Sequence, residues 1–231
     1  MRYIFDVDGT LTPSRGIVTP EFKEFLMEFF EKNDVYLVTG SDKPKTVEQL
    51  TEELYNKAKI VYQCSGNDIW VGESNIHKSE WKPRQSVLFF LRNLVEKSDY
   101  HTKTGRHIET RTGLCNFSIV GRNARTDERK AYVEFDKATN DRVNMANTLN
   151  EKFGDEIAVT VAGETGIDIT APFADKAQIL HDFQGTQVEF FGDRTEEGGN
   201  DHSIAKIINE CGGKVHTVKD WKDTWNILKG K

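Results

Sequence analysis

The chain opens Met1-Arg2-Tyr3-Ile4-Phe5-Asp6-Val7-Asp8-Gly9-Thr10-Leu11-Thr12, and the reading of this stretch decides the fold. Tyr3 to Phe5 is an apolar run, and it predicts a short buried strand over residues 2–7. At its carboxyl end stand two aspartates one residue apart, then a glycine and a threonine. If the strand continues through Asp6 and Asp8, alternation sets both side chains on one side. Carboxylates that close ionise together only with a cation or a proton between them. Hard oxygen ligands suit Mg²⁺. Asp-Gly is also a common turn pair, so those residues alone leave a plain acidic turn open.

Further along, the same pattern returns. Thr19-Pro20-Glu21 reads as a helix start, with Thr19 as cap. Phe22, Phe25, Leu26, Phe29 and Phe30 then mark one buried face. Val35 to Val38 predicts a second strand, which ends in Thr39-Gly40-Ser41-Asp42, a hydroxyl-rich turn able to meet a phosphate. Pro44 opens a helix expected to reach about Lys57. Ile60 to Gln63 reads as a third strand and Ile69 to Val71 as a brief one. Successive strand–helix units whose strand ends carry polar residues imply a doubly wound, Rossmann-type parallel sheet.

Past residue 80 the pattern changes. A helix is expected over 82–97, followed by alternating segments at 107–111 and 114–120 around Thr112-Gly113, a hairpin signal. Helices at 127–135 and 141–153 precede a second hairpin, 157–161 and 166–170. From Asp175 the doubly wound pattern resumes: a helix from Lys176, a strand at Val188–Phe191, then Gly192-Asp193-Arg194 and a glycine-rich loop to Asp201. The expected organisation is an α/β core of residues 1–80 and 174–231. It is interrupted by an inserted α+β cap, residues 81–173, built on an antiparallel sheet. The strand-end residues Asp6, Asp8, Ser41, Lys176, Asp193 and Asp201 would converge on the carboxyl edge of the core sheet, where such sheets bind ligands.

Composition narrows the function classes. The 231 residues carry a net charge of −6, which disfavours general nucleic-acid binding, since that depends on neutralising phosphates. Cys64, Cys115 and Cys211 are odd in number and widely spaced. That argues against a disulfide framework or a zinc site and fits a reducing cytoplasm. No apolar run approaches the length of a membrane span and the N-terminus has no signal region, so no membrane association is expected.

The string Asp6-Val7-Asp8-Gly9-Thr10-Leu11-Thr12 resembles the nucleophile motif of the haloacid dehalogenase (HAD) superfamily of phosphotransferases. Phe191-Gly-Asp-Arg-Thr-Glu-Glu-Gly-Gly-Asn-Asp201-His202 is similar to the metal loop of the eukaryotic-type phosphomannomutases. So are Ile108-Glu-Thr-Arg111, Asn116-Phe-Ser-Ile-Val-Gly-Arg122 and Glu128-Arg129 in the insertion. The resemblance implies a HAD-like core and an Mg²⁺-dependent phosphotransferase. Its substrate would be a small phosphorylated sugar, a mannose or glucose phosphate interconverted between its 6- and 1-phosphates, with a hexose bisphosphate as possible activator. It implies Asp6 as nucleophile, Asp8 as acid/base, and Lys176 and Ser41 as catalytic partners. The metal ligands would be Asp6, Asp193 and the Asp8 carbonyl, with Asp201 either a ligand or a neighbour to one. Arg111, Arg122 and Arg129 occupy the places of arginines that hold the distal phosphate. Asn116 and Asp168 fall in the sugar cleft, and Arg15 is a further substrate contact. Gly166 stands where the family has a serine, a departure that touches sugar identity. Caps of this family pair, which implies a homodimer through the cap. A sugar-phosphate phosphatase with the same site is the alternative. A non-catalytic binding protein is disfavoured because every catalytic position is filled.

Overall fold

The computed structural model describes residues 2–14 and 16–231. In chain order it begins β1 (Arg2–Phe5), α1 (Pro20–Lys32), β2 (Asp34–Val38), α2 (Lys43–Leu50), α3 (Glu52–Tyr55) and β3 (Ile60–Gln63). A hairpin of β4 (Asp68–Val71) and β5 (Ser74–Lys78) follows. Then come α4 (Gln85–Lys97), β6 (Ile108–Arg111), β7 (Leu114–Phe117), α5 (Thr126–Thr139), α6 (Asp141–Phe153), β8 (Ala158–Ala162) and β9 (Gly166–Thr170). The chain ends with a 3₁₀ helix (Lys176–Phe183), β10 (Val188–Gly192), α7 (His202–Glu210), β11 (Lys214–Thr217) and α8 (Trp221–Lys229). Two compact units result: residues 1–79 with 175–231, and residues 80–174.

In the first unit one sheet has the order β11-β10-β1-β2-β3-β4-β5. From β11 to β3 neighbours run parallel, and β4 and β5 are added antiparallel. β1 is flanked on both sides and packed on both faces, which is why it reads as an unbroken apolar run. Alternation divides its side chains between two layers. Tyr3 and Phe5 join Phe22, Leu26 and Phe29 of α1 on one face, and Ile4 joins Phe190 and Ile204 on the other. α1 is held by this burial more than by its cap. Thr19 occupies the cap position without a side-chain bond, contrary to the sequence expectation. A cap bond is worth about 1 kcal/mol. Each of the buried Phe22, Leu26, Phe29 and Phe30 contributes roughly 1.5–3 kcal/mol.

Other expectations are corrected in detail. β1 stops at Phe5, so Asp6 and Asp8 leave the sheet in a turn instead of sharing a strand face. The helix expected to reach Lys57 is broken by Thr51, at φ 71°, into α2 and α3. Lys176 begins a 3₁₀ helix.

The second unit holds an antiparallel sheet of order β6-β7-β9-β8. Its register sorts the side chains by face. Ile108, Phe117, Ile167 and Val161 form one cross-strand row, and Cys115, Ile169 and Val159 lie in the next row of the same face. These pack with Val87 and Leu91 of α4, Tyr132 of α5 and Leu149 of α6. The opposite face carries the row Glu109, Asn116, Asp168 and Thr160, with Arg111 beside it. The second hairpin strand, expected over 114–120, ends at Phe117, and Arg122 lies in the loop before α5. Among the described residues no helix is long and apolar enough to cross a membrane.

Candidate active site

The register of the core sheet lines up its chemistry. Phe5 pairs with Leu37 on β2 and with Phe191 on β10, and the Asp6 amide donates to the Phe191 carbonyl at 2.9 Å. Asp6, the Thr39–Ser41 turn and Asp193 therefore follow adjacent strand ends. Around the Val7 carbonyl, which accepts from the amides of Thr10, Leu11 and Thr12, the chain turns sharply at once.

Lys176 lies at the centre of the cluster. Its side chain is 1% exposed, and Nζ donates to Asp6 Oδ1 at 2.5 Å and to Asp201 Oδ1 at 2.7 Å. Burial alone would lower the ammonium's pKa, but the charges of Asp201 and Asp6 more than offset this and hold it above the ordinary lysine value. One oxygen from each of Asp6, Asp193 and Asp201 lies within 4.8 Å of the others. Three carboxylates facing one ammonium leave two negative charges. Burial, with the charges of Asp201 and Asp193, pushes the Asp6 carboxyl up to about 7 against the pull of Lys176. Burial and the Asp201 charge push Asp193 up to about 6.

A hard divalent cation fits this arrangement. The donors are all oxygen, the excess charge is that of such an ion, and Asp6 Oδ2 is buried without a hydrogen-bond partner. Two glycines make room for the carboxylates. A Cβ on Gly9, at φ +92°, would lie inside contact distance of Asp193 Oδ2, and one on Gly192 would lie 2.7 Å from Asp201 Oδ2. Asp201 is already committed elsewhere, since Oδ1 accepts from Lys176 and Oδ2 from the Arg194 amide at 3.2 Å.

Asp8 stands apart from the three clustered side chains. Gln49 of α2, 1% exposed, donates through Nε2 to Asp8 Oδ1 at 2.9 Å and to Thr12 Oγ1 at 3.3 Å. Gln49 was not singled out from sequence. The signal was there: with Thr46 and Leu50 it falls at the i, i+3, i+4 spacing of the inward face, where a polar residue needs a reason. Ser41 sits at the end of β2, its amide bonded to Thr39 Oγ1 at 3.1 Å, and Asp42 caps α2 by accepting from the Lys45 amide.

On the polar face of the second unit's sheet, Asn116 Nδ2 donates to Asp168 Oδ1 at 2.6 Å. Burial raises the Asp168 carboxyl above its ordinary value. A Cβ on Gly166 would come within 3.0 Å of Asn116 Nδ2 and 3.1 Å of the Phe117 carbonyl, so a side chain here would displace the amide. Arg111 and Arg122 both bond Glu109, and Arg129 bonds Glu164 at 3.1 Å. Glu109 escaped the sequence reading, although alternation sets it on the same face as Arg111. Arg15 lies outside the described residues.

A mixed sheet with carboxylates at the ends of parallel strands, interrupted by an α+β unit, defines the HAD-like class. Solved structures share that fold. A haloacid dehalogenase-like hydrolase from Bacteroides thetaiotaomicron superposes with a TM-score of 0.64 at 14% identity, covering 99% of this chain and 98% of that one. The C-terminal domain of a C. albicans trehalose-6-phosphate phosphatase does so with a TM-score of 0.62 at 17% identity, covering 91% and 74%. Residues 22–230 match the eukaryotic phosphomannomutase family. A phosphomannomutase of Glycine max is 34% identical over 96% of this chain and 92% of its own, and one of Drosophila melanogaster is 33% identical over 94% and 91%. The chain belongs to the eukaryotic phosphomannomutase family.

Proposed function

We propose that this protein interconverts hexose 6-phosphate and hexose 1-phosphate, with mannose or glucose as the sugar, through an aspartyl-phosphate on Asp6. The observation that carries this reading is the buried Lys176 ammonium between Asp6 and Asp201, at the strand end where a nucleophile and a phosphoryl group would meet. Asp6 attacks one phosphorus of a hexose bisphosphate, and the bond to that sugar oxygen breaks as Asp8 delivers a proton to it, leaving a hexose monophosphate. In the second half, Asp8 takes the proton of the incoming hydroxyl, which accepts the phosphoryl from Asp6. Lys176 orients Asp6 and offsets charge on the transferring group, while the Gly40 amide and the Ser41 hydroxyl donate to its oxygens. Gln49 holds Asp8 in place. Mg²⁺, held by Asp6, Asp193 and the Asp8 carbonyl with Asp201 beside them, would supply charge neutralisation between nucleophile and phosphoryl. The phosphate not being transferred is bound by Arg111, Arg122 and Arg129, with Arg15 as a further contact, and the sugar hydroxyls meet Asn116 and Asp168.

The unit of residues 1–79 and 175–231 serves as the catalytic core and that of residues 80–174 as the inserted cap. Pairing of two caps in a homodimer is part of this reading and rests on the family resemblance. The three cysteines, odd in number and widely spaced along the chain, support a cytoplasmic location. The test is conversion of mannose 1-phosphate to mannose 6-phosphate, with inorganic phosphate measured in parallel, with and without a hexose bisphosphate. Isomerisation stimulated by the bisphosphate and abolished by Asp6→Asn is expected. Stoichiometric release of inorganic phosphate without isomerisation would overturn the reading.

A further inference from the structure

Both oxygens of the Glu109 carboxylate are occupied by arginine. Oε1 accepts from Arg111 Nε at 3.0 Å, with Nη2 of the same guanidinium 3.0 Å away in an ion pair, and Oε2 accepts from Arg122 Nε at 2.7 Å. Arg111 lies two residues along β6 from Glu109, on the same face, whereas Arg122 reaches it from the loop before α5. The three side chains are 24–35% exposed, so the bonds are only partly screened by water. Partial burial would raise the Glu109 carboxyl, but the bonds from Arg122 and Arg111 hold it below its ordinary value. The carboxylate is thus ionised and two-handed, with one guanidinium fixed on each side.

We propose that Glu109 is a positioning residue that fixes Arg111 and Arg122 side by side before any phosphate arrives. This rests on the reading above that these guanidiniums bind the phosphate not being transferred. An arginine side chain is long, and ordering it at the moment of binding costs affinity. Each guanidinium has five donors in a rigid fork, so a carboxylate bound to the Nε edge sets the plane and leaves other N–H groups for a ligand. Arg129 is excluded from this device because its partner is Glu164, on the turn between β8 and β9.

The proposal separates from simple electrostatics by sign. Glu109→Gln removes a negative charge beside two guanidiniums. If charge alone mattered, a sugar phosphate would bind more tightly. If positioning matters, one of the two acceptors is lost and an amide N–H faces an arginine, so binding weakens.

The experiment is steady-state turnover of mannose 1-phosphate by the full chain. The variants are Glu109→Gln, Glu109→Asp, Arg111→Ala, Arg122→Ala, and the two arginine changes together, with and without Glu109→Gln. Glu109→Gln is expected to raise KM about tenfold, with a much smaller effect on kcat, because two rotamer-rich side chains must now be ordered on binding. Glu109→Asp should restore part of the loss. Glu109→Gln should add nothing once both arginines are gone, since neighbours acting through one another are non-additive. Thermal melting of each variant checks folding, and Glu109→Asp carries the test if Glu109→Gln does not fold. An unchanged or lower KM for Glu109→Gln, with Arg111→Ala and Arg122→Ala raising it, would overturn the role of Glu109. If the arginine variants also leave KM unchanged, the phosphate-site reading fails and the proposal with it.

Discussion

Asp6→Asn should stabilise the metal-free protein at neutral pH while abolishing turnover. Asp6 is 2% exposed, and its carboxyl is displaced from 3.8 to about 7, first by burial and then by the charges of Asp201 and Asp193, against Lys176. A folded-state value above the unfolded one means that folding favours the protonated form. The associated stability is complete below about pH 4 and is lost as pH rises through about 7. Three pH units at about 1.4 kcal/mol each give about 4 kcal/mol. The carboxamide does not titrate, so the variant escapes that loss. Asp193 keeps its own displacement in both proteins and cancels from the comparison. The assay is thermal melting of chelator-treated wild type and variant from pH 4 to pH 8. The variant's Tm should rise relative to wild type across this range, by roughly 2–4 °C per kcal/mol. Added Mg²⁺ should then favour the wild type, because an ion that binds only the folded site stabilises it by mass action. A Tm difference that stays constant from pH 4 to pH 8 would refute the reasoning, since any pH-independent cost of the amide appears equally at both ends.

Three further outcomes follow from the same contacts. Lys176→Met leaves buried carboxylates without their ammonium. It should cost about 3–5 kcal/mol in chemical denaturation without metal and remove turnover. Gly9→Ala places a Cβ against Asp193 and strains a backbone at φ +92°. Mg²⁺ should then shift its melting temperature far less than that of the wild type. Gln49→Leu removes the donor to Asp8 Oδ1. A hydrogen bond to a charged group is worth about 1.5–3 kcal/mol, so kcat should fall roughly 10- to 100-fold, with KM within about threefold in steady-state assays.

The fold was legible wherever local pattern and long-range packing agree. β1 is buried on both faces and its apolar run says so. α1 must present one face to that sheet, and its phenylalanines recur at three and four. The change from unbroken apolar strands to alternating ones marked the inserted unit, because its sheet has one packed face and one polar face. Where local preference conflicted with tertiary demands, the reading slipped. Thr51 interrupts a helix that pattern alone would continue. The strand expected over 114–120 ends at Phe117, which leaves Arg122 in a loop.

The sequence by itself determined which groups exist and the order in which strand ends present Asp6 and Asp8, the Thr39–Ser41 turn and Asp193; Lys176, expected at such a strand end, instead begins the 3₁₀ helix that follows β9 of the other sheet. Strand ends in a parallel sheet share one edge whatever the loops do, so the convergence was implicit in the element order. Only the tertiary structure decided how those groups are shared. Lys176 reaches Asp6 across 170 residues of chain and divides its ammonium between Asp6 and Asp201. Gln49 crosses from α2 to Asp8, and Glu109 pairs with arginines from a strand and a loop. Hydrogen bonds depend on tenths of an ångström and on burial, and neither is written in spacing along a chain.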